Sequence, residues 1–306
     1  MVLLVCALRM KTCRKYNLLR MKLELLKFDT DFRNLSTLPP AIFGYCLNQI
    51  EVMSNYLFSQ FKANEFEDLH QVLSKVLDIP QDQLKSLYEM MQQEFELDYW
   101  PPEPTLPRSI FQPDDGSFQK CYEEAFIIGV DIPSLLEKKD DNPNKKTIAI
   151  LGQDPLRSKP ERVKDIMIGT PYGLHLKKCR DEWRTKQYFD LVKVLLDEGY
   201  RIYLTDIFKV WVSKADCDRG IHLNERDRIR FIQVLKSELE IFQPLAVITW
   251  GKEASNAMKG INLETKHLDF PHPSGAANGA WSKLMGKPAT QENKVHFWRE
   301  KVLSCL

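Results

Sequence analysis

Residues 147–155 read Thr-Ile-Ala-Ile-Leu-Gly-Gln-Asp-Pro, a short apolar run that ends abruptly in polar residues. A continuous aliphatic run of this length is typical of a strand that is buried on both faces of a parallel sheet. The Gly152-Gln-Asp-Pro155 tetrapeptide puts a carboxylate at the carboxyl end of that strand. Since ligands of open α/β sheets bind beyond the carboxyl ends of the strands, Asp154 is a candidate site residue.

Three further strand-like runs follow this first one, and helical patterns separate them. The apolar runs lie at 200–205, 245–249 and 266–270, and apolar residues recur at helical spacing over 184–198, 224–242 and 252–259. Strands that alternate with helices of this length indicate βαβ units. We therefore predict an α/β fold, in which a three-layer α/β/α domain holds a central four-stranded parallel sheet.

The chain before residue 145 has a different pattern. Apolar residues repeat at helical spacing between residues 69 and 95, and a proline-rich stretch follows at 100–107. Residues 138–146 are polar and charged, as in a domain boundary. We therefore predict a mainly helical N-terminal region over 1–144 and an α/β domain over 145–306. The role of the N-terminal region stays open between capping the second domain, regulating access to it and binding a protein partner.

Bulk composition excludes several classes of protein. The chain of 306 residues is 43% hydrophobic and 28% charged, and no apolar run approaches the ~20 residues of a membrane helix. The apolar start at residues 1–8 precedes its basic residues, the reverse of a secretory signal, so we expect a cytoplasmic protein, nucleoid-associated if it is bacterial. The seven cysteines include no Cys-x-x-Cys pair, which predicts reduced thiols and no zinc or iron–sulfur site.

Charge is unevenly distributed along the chain. Residues 1–144 hold 15 Lys and Arg against 22 Asp and Glu, whereas residues 145–306 hold 28 against 20. A basic C-terminal half indicates a polyanionic partner for that half. Ordinary solvated charge also explains an excess of this size, so charge alone is weak support for nucleic-acid binding.

Polar residues follow the other strand-like runs as well. Asp206, Gly251 and His272 each come just after a predicted strand. Because the carboxyl ends of parallel strands lie at one edge of a sheet, we expect them to meet Asp154 there. An isolated Asp-Pro after a strand is commonly a turn, and a lone histidine in a proline-rich loop is commonly structural. Their joint occurrence at one edge is what favours a catalytic pair.

Four segments of the second half together resemble the motifs of the uracil-DNA glycosylase superfamily. Gly152-Gln-Asp-Pro155 is similar to its water-activating motif, and His272-Pro-Ser274 to the motif that lies beside the extruded base. Residues 205–210 resemble the strand end that carries the family's base-reading asparagine, and residues 247–251 resemble the strand before His-Pro-Ser. The resemblance covers about residues 145–302, roughly half of the chain.

The resemblance implies a monofunctional DNA glycosylase of base excision repair, which hydrolyses the N-glycosidic bond of uracil or a related damaged base. Such hydrolysis leaves positive charge on the sugar and negative charge on the departing base. Asp154 would stabilise the sugar cation and orient the attacking water, and His272 would hydrogen-bond the base carbonyl. The base must leave the DNA helix to be reached. No metal or organic cofactor is required.

Other polar residues of this half are candidates for ligand contacts. The candidate base-binding residues are Gln153, Asp206, Tyr172 and His175, and the candidate DNA-binding residues are Ser274, Gly275, Lys252 and Arg157. Lys209 is expected to be solvated, and Phe208, Trp211 and Trp250 are expected to belong to the core. We expect a monomer whose partner is DNA with a flipped base.

Three positions depart from the family pattern. Asp206 stands where the family has asparagine, and an ionised carboxylate only accepts hydrogen bonds, so it loses the contact to uracil O4. It could instead accept from an exocyclic amine such as that of cytosine. Leu156 replaces the tyrosine that excludes the thymine methyl group, and Ala276 lies where a leucine wedge is expected. The sequence therefore leaves the substrate base open.

Two other classes of function compete with the enzyme. One is a catalytically silent nucleic-acid-binding protein that retains the glycosylase fold. The other is an unrelated nucleotide-binding α/β enzyme, which no Gly-x-Gly-x-x-Gly or Walker motif supports.

Overall fold

A computed structural model describes residues 55–140, 142–157, 161–213, 220–261 and 264–306 of the chain. Predictions about residues 1–54, and about Cys6, Cys13, Cys46 and Cys217, lie outside the described residues. Cys121, Cys179 and Cys305 are free thiols, as the sequence predicts.

Ten strands and nine α-helices occur in the described residues. The strands are β1 (Tyr56–Phe58), β2 (Thr105–Leu106), β3 (Ile127–Asp131), β4 (Ser134–Lys138), β5 (Thr147–Gly152), β6 (Ile166–Gly169), β7 (Arg201–Asp206), β8 (Val210–Ser213), β9 (Ala246–Trp250) and β10 (Lys266–Phe270). The helices are α1 (Ala63–Leu73), α2 (Gln81–Glu94), α3 (Gly116–Glu123), α4 (Lys177–Asp181), α5 (Trp183–Asp197), α6 (Glu225–Phe242), α7 (Lys252–Lys259), α8 (Asn278–Met285) and α9 (Gln291–Leu303).

The larger sheet has six strands in the order β1-β4-β7-β5-β9-β10. Within this sheet, the adjacent strands β7, β5, β9 and β10 run parallel to one another. They are the four strands that the sequence predicts, and their ends agree with the prediction to within one residue. The α/β class is therefore confirmed. The sheet is larger than predicted, because β4 pairs antiparallel with β7 and β1 pairs antiparallel with β4.

Burial explains why these runs form strands. Every residue of β5, β7 and β9 is buried, as expected of central strands covered on both faces. Strand β10 lies at the sheet edge and is buried only at Phe270. Helix α6 lies between β8 and β9 in the chain and is capped by Asn224, whose side chain accepts from the backbone N–H of Asp227.

A second sheet of four strands has the order β2-β6-β3-β8. Strands β3 and β6 are parallel, and the outer pairings are antiparallel. Both sheets contain strands from before and after residue 145, and Ser54–Leu306 form one compact unit. The boundary predicted at 144/145 falls in this unit, in the loop between β4 and β5.

Aromatic side chains fill much of the core. Trp250, Trp281 and Trp298 are fully buried, and Phe208 and Trp211 are nearly so. The core positions predicted for Phe208, Trp211 and Trp250 are therefore confirmed. Within the described ranges, no helix is long and apolar enough to cross a membrane.

Candidate active site

The carboxyl ends of the four parallel strands bring the predicted site residues to one edge of the sheet. Asp206 ends β7, Asp154 lies two residues beyond β5, Gly251 follows β9 and His272 lies two residues beyond β10. The chain passes from β5 to β7 on one side and then crosses back to β9 on the other side. Such a reversal opens a crevice between the ends of β5 and β9, where ligands of doubly wound sheets bind.

Gly152 allows two polar side chains to approach the end of β5. It pairs with Asp206 in the register of β5 and β7, and its carbonyl accepts from the Ile207 N–H at 3.1 Å. A Cβ atom at this position would lie 2.1 Å from Asp206 Oδ1 and 2.6 Å from the Tyr172 hydroxyl. Only glycine therefore fits beside this carboxyl and this phenol.

Asp154 is half-buried in the loop after β5. The Gln153 side-chain amide donates to its Oδ2 at 2.8 Å. Burial raises the pKa of Asp154, the hydrogen bond from Gln153 lowers it, Asp131 raises it further and His222 opposes the rise. The net shift is upward, as expected of a carboxylate drawn partly out of water among other acids.

Asp131 is a site residue that sequence reasoning missed. It ends β3 of the smaller sheet, is 2% exposed and is ion-paired with the guanidinium of Arg157. The same guanidinium is ion-paired with Glu103 at 2.7 Å, and the Arg157 side chain packs against Gly129 and Gly169. Since these ion pairs occupy Arg157, we do not keep it among the DNA-contacting residues. Its pairing fixes the 153–157 loop against the smaller sheet.

Tyr172 lies close to both the acids and His272. Its ring stacks on that of Tyr188, with centroids 4.2 Å apart, and lies 5.9 Å from the His272 ring and 5.3 Å from Trp250. Its backbone has φ 58°, a left-handed conformation that is rare outside glycine. Its hydroxyl is buried without a hydrogen-bond partner in the described part of the chain. Tyr172 therefore links Asp154, Asp206 and His272 in one site.

His272 is held with one nitrogen fixed and the other available. The backbone N–H of Ser274 lies 3.3 Å from its Nδ1, and the Ser274 hydroxyl lies 2.9 Å from the same atom. Because a backbone N–H can only donate, Nδ1 accepts and the neutral ring carries its proton on Nε2. Burial, assisted by Lys294, lowers the pKa of His272 to about 4. The ring is therefore a neutral donor at pH 7.

Buried side chains hold the loop that carries His272. Trp281 Nε1 donates to the His272 carbonyl at 2.9 Å, and Lys294 Nζ donates to the Pro273 carbonyl at 2.9 Å. Gly251 has φ 98°, which favours glycine, and its N–H donates to Phe270 at the end of β10. The ends of β9 and β10 are thus tied together beneath the site.

The remaining predicted residues divide into surface and interior positions. Lys252, the first residue of α7, and Gly275 are exposed next to Gly251 and His272 in the chain, and Ser274 is engaged with His272. The ring of His175 is buried, with Nδ1 2.8 Å from Thr170 Oγ1 and Nε2 facing Glu94 at 3.9 Å. It is therefore enclosed in the fold, and we do not keep it among the base-contacting residues.

Two further neighbours of the site were not anticipated. Tyr188, on α5, stacks under Tyr172, and the exposed His222 is close enough to Asp154 to affect its pKa. Helical spacing marks Tyr188 only as a buried position, and no strand was predicted just before His222. The order of motifs along the sequence therefore carried no signal for either residue.

Other surface features lie away from the strand ends. One cleft of about 570 Å³ is lined by α5 and α9, and another of about 580 Å³ is lined by Arg108, Glu123 and Arg162 with their neighbours. Neither contains a strand-end residue. Within the described ranges, no group of three His, Cys, Asp or Glu side chains could hold a metal ion.

The strand ends carry the polar groups of the candidate site. A half-exposed carboxylate, a neutral imidazole donor and an aromatic wall lie together there. No protein-family model matches the chain, and no curated protein matches it.

Proposed function

We propose that this chain is a monofunctional DNA glycosylase that hydrolyses the N-glycosidic bond of uracil or a related damaged base, as in base excision repair. One observation carries the proposal: Asp154 and the Nε2–H of a neutral His272 lie at one edge of the parallel sheet, and Tyr172 lies close to both. The two groups match the two charges that develop when the bond to the base breaks.

Asp154 is the group that faces the positive charge. As the bond to the base lengthens, the sugar gains oxocarbenium character, and a carboxylate beside it stabilises that charge. The same oxygen atoms can accept a hydrogen bond from the attacking water and hold it in position. The Gln153 amide, which donates to Oδ2, keeps the carboxylate in one orientation.

His272 is the group that faces the negative charge. A pKa of about 4 keeps the ring neutral, and its Nε2–H can donate to a carbonyl oxygen of the departing base. Since Nδ1 is already bonded to Ser274, the ring need not reorient during the reaction. Fixed donors aimed at developing charge contribute more than mobile ones.

The surrounding fold supports a flipped-base substrate. The stacked rings of Tyr172 and Tyr188 offer an aromatic wall against which an extruded base would lie. We assign α5 to one face of the sheet and α6 and α7 to the other, because right-handed crossovers between parallel strands require it. This is the three-layer α/β/α arrangement. Lys252 at the start of α7 and the backbone at Gly275 would contact phosphates.

A base panel tests the proposal. Labelled single- and double-stranded DNA carrying uracil, hypoxanthine, cytosine or a mismatch is incubated with the protein, and abasic sites are then cleaved with alkali. We expect scission for at least one base, at least 100-fold slower for Asp154→Asn, because that variant removes the charge that stabilises the sugar cation. Asp68→Asn, an exposed change on α1, is the matched control and should cleave like the wild type.

Two outcomes would contradict the proposed glycosylase activity. Scission that survives Asp154→Asn unchanged would remove the carboxylate from the mechanism. Salt-sensitive DNA binding without scission of any base would favour the alternative of a silent nucleic-acid-binding protein.

A further inference from the structure

Asp206 is a buried carboxyl group that forms no ion pair with any Lys, Arg or His side chain that the structure describes. It is 2% exposed, and its carboxyl makes no hydrogen bond to any residue that the structure describes. The Lys209 ammonium binds the backbone carbonyl of Asp206, Thr205 Oγ1 at 2.6 Å and Glu238 Oε2 at 2.8 Å. Its charge is therefore already balanced by Glu238 rather than by Asp206.

The groups that face Asp206 come from several elements and are mostly acidic. Asp131 lies at the end of β3 and Asp154 in the loop after β5, and both act on Asp206 electrostatically. The Arg157 guanidinium is shared between Asp131 and Glu103. This arginine is thus ion-paired with two acids, and it forms no ion pair with Asp206 among the described residues. A second ionised carboxylate beside Asp154 would be costly in this environment.

Of the two neighbouring acids Asp154 and Asp206, Asp206 is the one that stays protonated. Asp154 is half-exposed and accepts a hydrogen bond from Gln153, so it ionises more easily. Once Asp154 is ionised, its charge disfavours ionisation of the more deeply buried neighbour. Burial, followed by Asp131 and Asp154, raises the pKa of Asp206 well above its usual range, against smaller opposing effects of Lys209 and Arg157.

The Tyr172 hydroxyl independently indicates a ligand beside Asp206. Both Asp206 Oδ1 and this hydroxyl lie close to where a Cβ atom of residue 152 would be, and the hydroxyl is buried without a hydrogen-bond partner among the described residues. Burial raises the pKa of Tyr172 well above its usual range, so its hydroxyl remains a hydrogen-bond donor. Buried polar groups are nearly always satisfied, so this unsatisfied hydroxyl next to a carboxyl group indicates polar atoms of a bound molecule.

We propose that Asp206 is the base-reading residue and that it acts as a neutral carboxylic acid, donating through its O–H and accepting through its carbonyl oxygen. This inference rests on the proposed glycosylase function. A neutral acid offers one donor and one acceptor side by side, as an amide does, whereas a carboxylate only accepts. The ligand class is a base edge with a ring nitrogen next to an exocyclic oxygen or amine.

The O–H and the carbonyl oxygen of a neutral carboxylic acid can exchange places, and this exchange determines the substrate range. With its O–H towards the exocyclic atom, Asp206 pairs with the O4 and N3–H of uracil. With the O–H and the carbonyl exchanged, it pairs with the amine and N3 of cytosine. The aspartate therefore remains compatible with uracil and also admits amino-substituted bases.

A carboxyl titration of the full chain tests the protonation state without any substrate. Carbon-13-labelled aspartate is followed by NMR from acid to alkaline pH, with the Asp206 signal assigned from its loss in Asp206→Asn. We expect Asp206 to be protonated at pH 7. Asp154→Asn should shift the Asp206 titration to lower pH, because it removes a neighbouring charge. An Asp206 signal that is ionised at pH 7 would overturn the inference.

The pH dependence of kcat/KM gives the functional test. If recognition of the base needs protonated Asp206, wild-type kcat/KM falls about tenfold per pH unit above the Asp206 pKa, and the Asp206→Asn variant lacks this fall at alkaline pH. An identical alkaline fall in both proteins would contradict the inference. The two proposals also fail separately: a neutral Asp206 without scission of any base contradicts the glycosylase, and scission with an ionised Asp206 contradicts the base-reading acid.

Discussion

At the scale of single residues, the sequence identifies candidate reacting groups but not their protonation or pairing. Asp154 and His272 are recognisable because each follows a strand. Lys209, expected to be solvated, is instead fully buried and paired with Glu238 at 2.8 Å. Its partner lies on α6, and nothing local in the sequence indicates that contact. The neutrality of His272 likewise depends on burial, which only the fold supplies.

Gly152→Ala tests the crowding at the end of β5. The added Cβ would lie 2.1 Å from Asp206 Oδ1 and 2.6 Å from the Tyr172 hydroxyl, so both groups must move. We expect a loss of about 1–3 kcal/mol in the free energy of unfolding, measured in urea, and a loss of base release. Gly279→Ala, where nothing lies within 4 Å, is the matched control. Equal stability and activity of the two variants would argue against this packing.

At the scale of elements, strands that are continuously apolar are easy to predict, and short or shared strands are not. β5, β7, β9 and β10 were predicted within one residue at each end. Strands β1, β3 and β4 lie in the half whose pattern indicated helices. They pair with partners far away in the chain, so local spacing gives little sign of them. Because β3 was not predicted, Asp131 at its end was not predicted as a site residue either.

Lys294→Met tests how α9 holds the His272 loop. The ammonium donates to the Pro273 carbonyl, and its charge helps to lower the pKa of His272. Removing it should raise that pKa from about 4, measured from imidazole NMR shifts, and lower kcat at least tenfold through loss of positioning. The exposed His296 provides the internal reference. A His272 that titrates unchanged would contradict this role.

At the scale of the whole molecule, the sequence correctly indicates the α/β class but not how the two halves combine. Strands from before and after residue 145 share both sheets, so the acidic half contributes Asp131 and Glu103 directly to the loop beside the site. Over the described residues, the acidic and basic halves of the chain therefore do not form two separate domains. The charge imbalance remains a reason to expect phosphate contacts from the basic half.

Lys252→Ala tests the proposed contact of the strand-end surface with DNA. Each lysine that neutralises a phosphate releases counterions, so its removal should reduce the slope of log K against log salt by about one. Binding is measured by fluorescence anisotropy at several salt concentrations. Lys85→Ala, an exposed change on α2, should leave the slope unchanged. Identical slopes for both variants would place the DNA contact elsewhere.

The most direct test of the central claim is the single-turnover rate of free-base release by the wild type, Asp154→Asn, His272→Ala and the double variant, on the base that the panel identifies. If the two residues act together in one reaction, each single change slows release about 10²–10⁴-fold. The double change then costs less than the product of the single effects. His296→Ala, an exposed change on α9, should release the base at the wild-type rate. Wild-type rates for Asp154→Asn or His272→Ala would contradict the claim that this pair performs the hydrolysis.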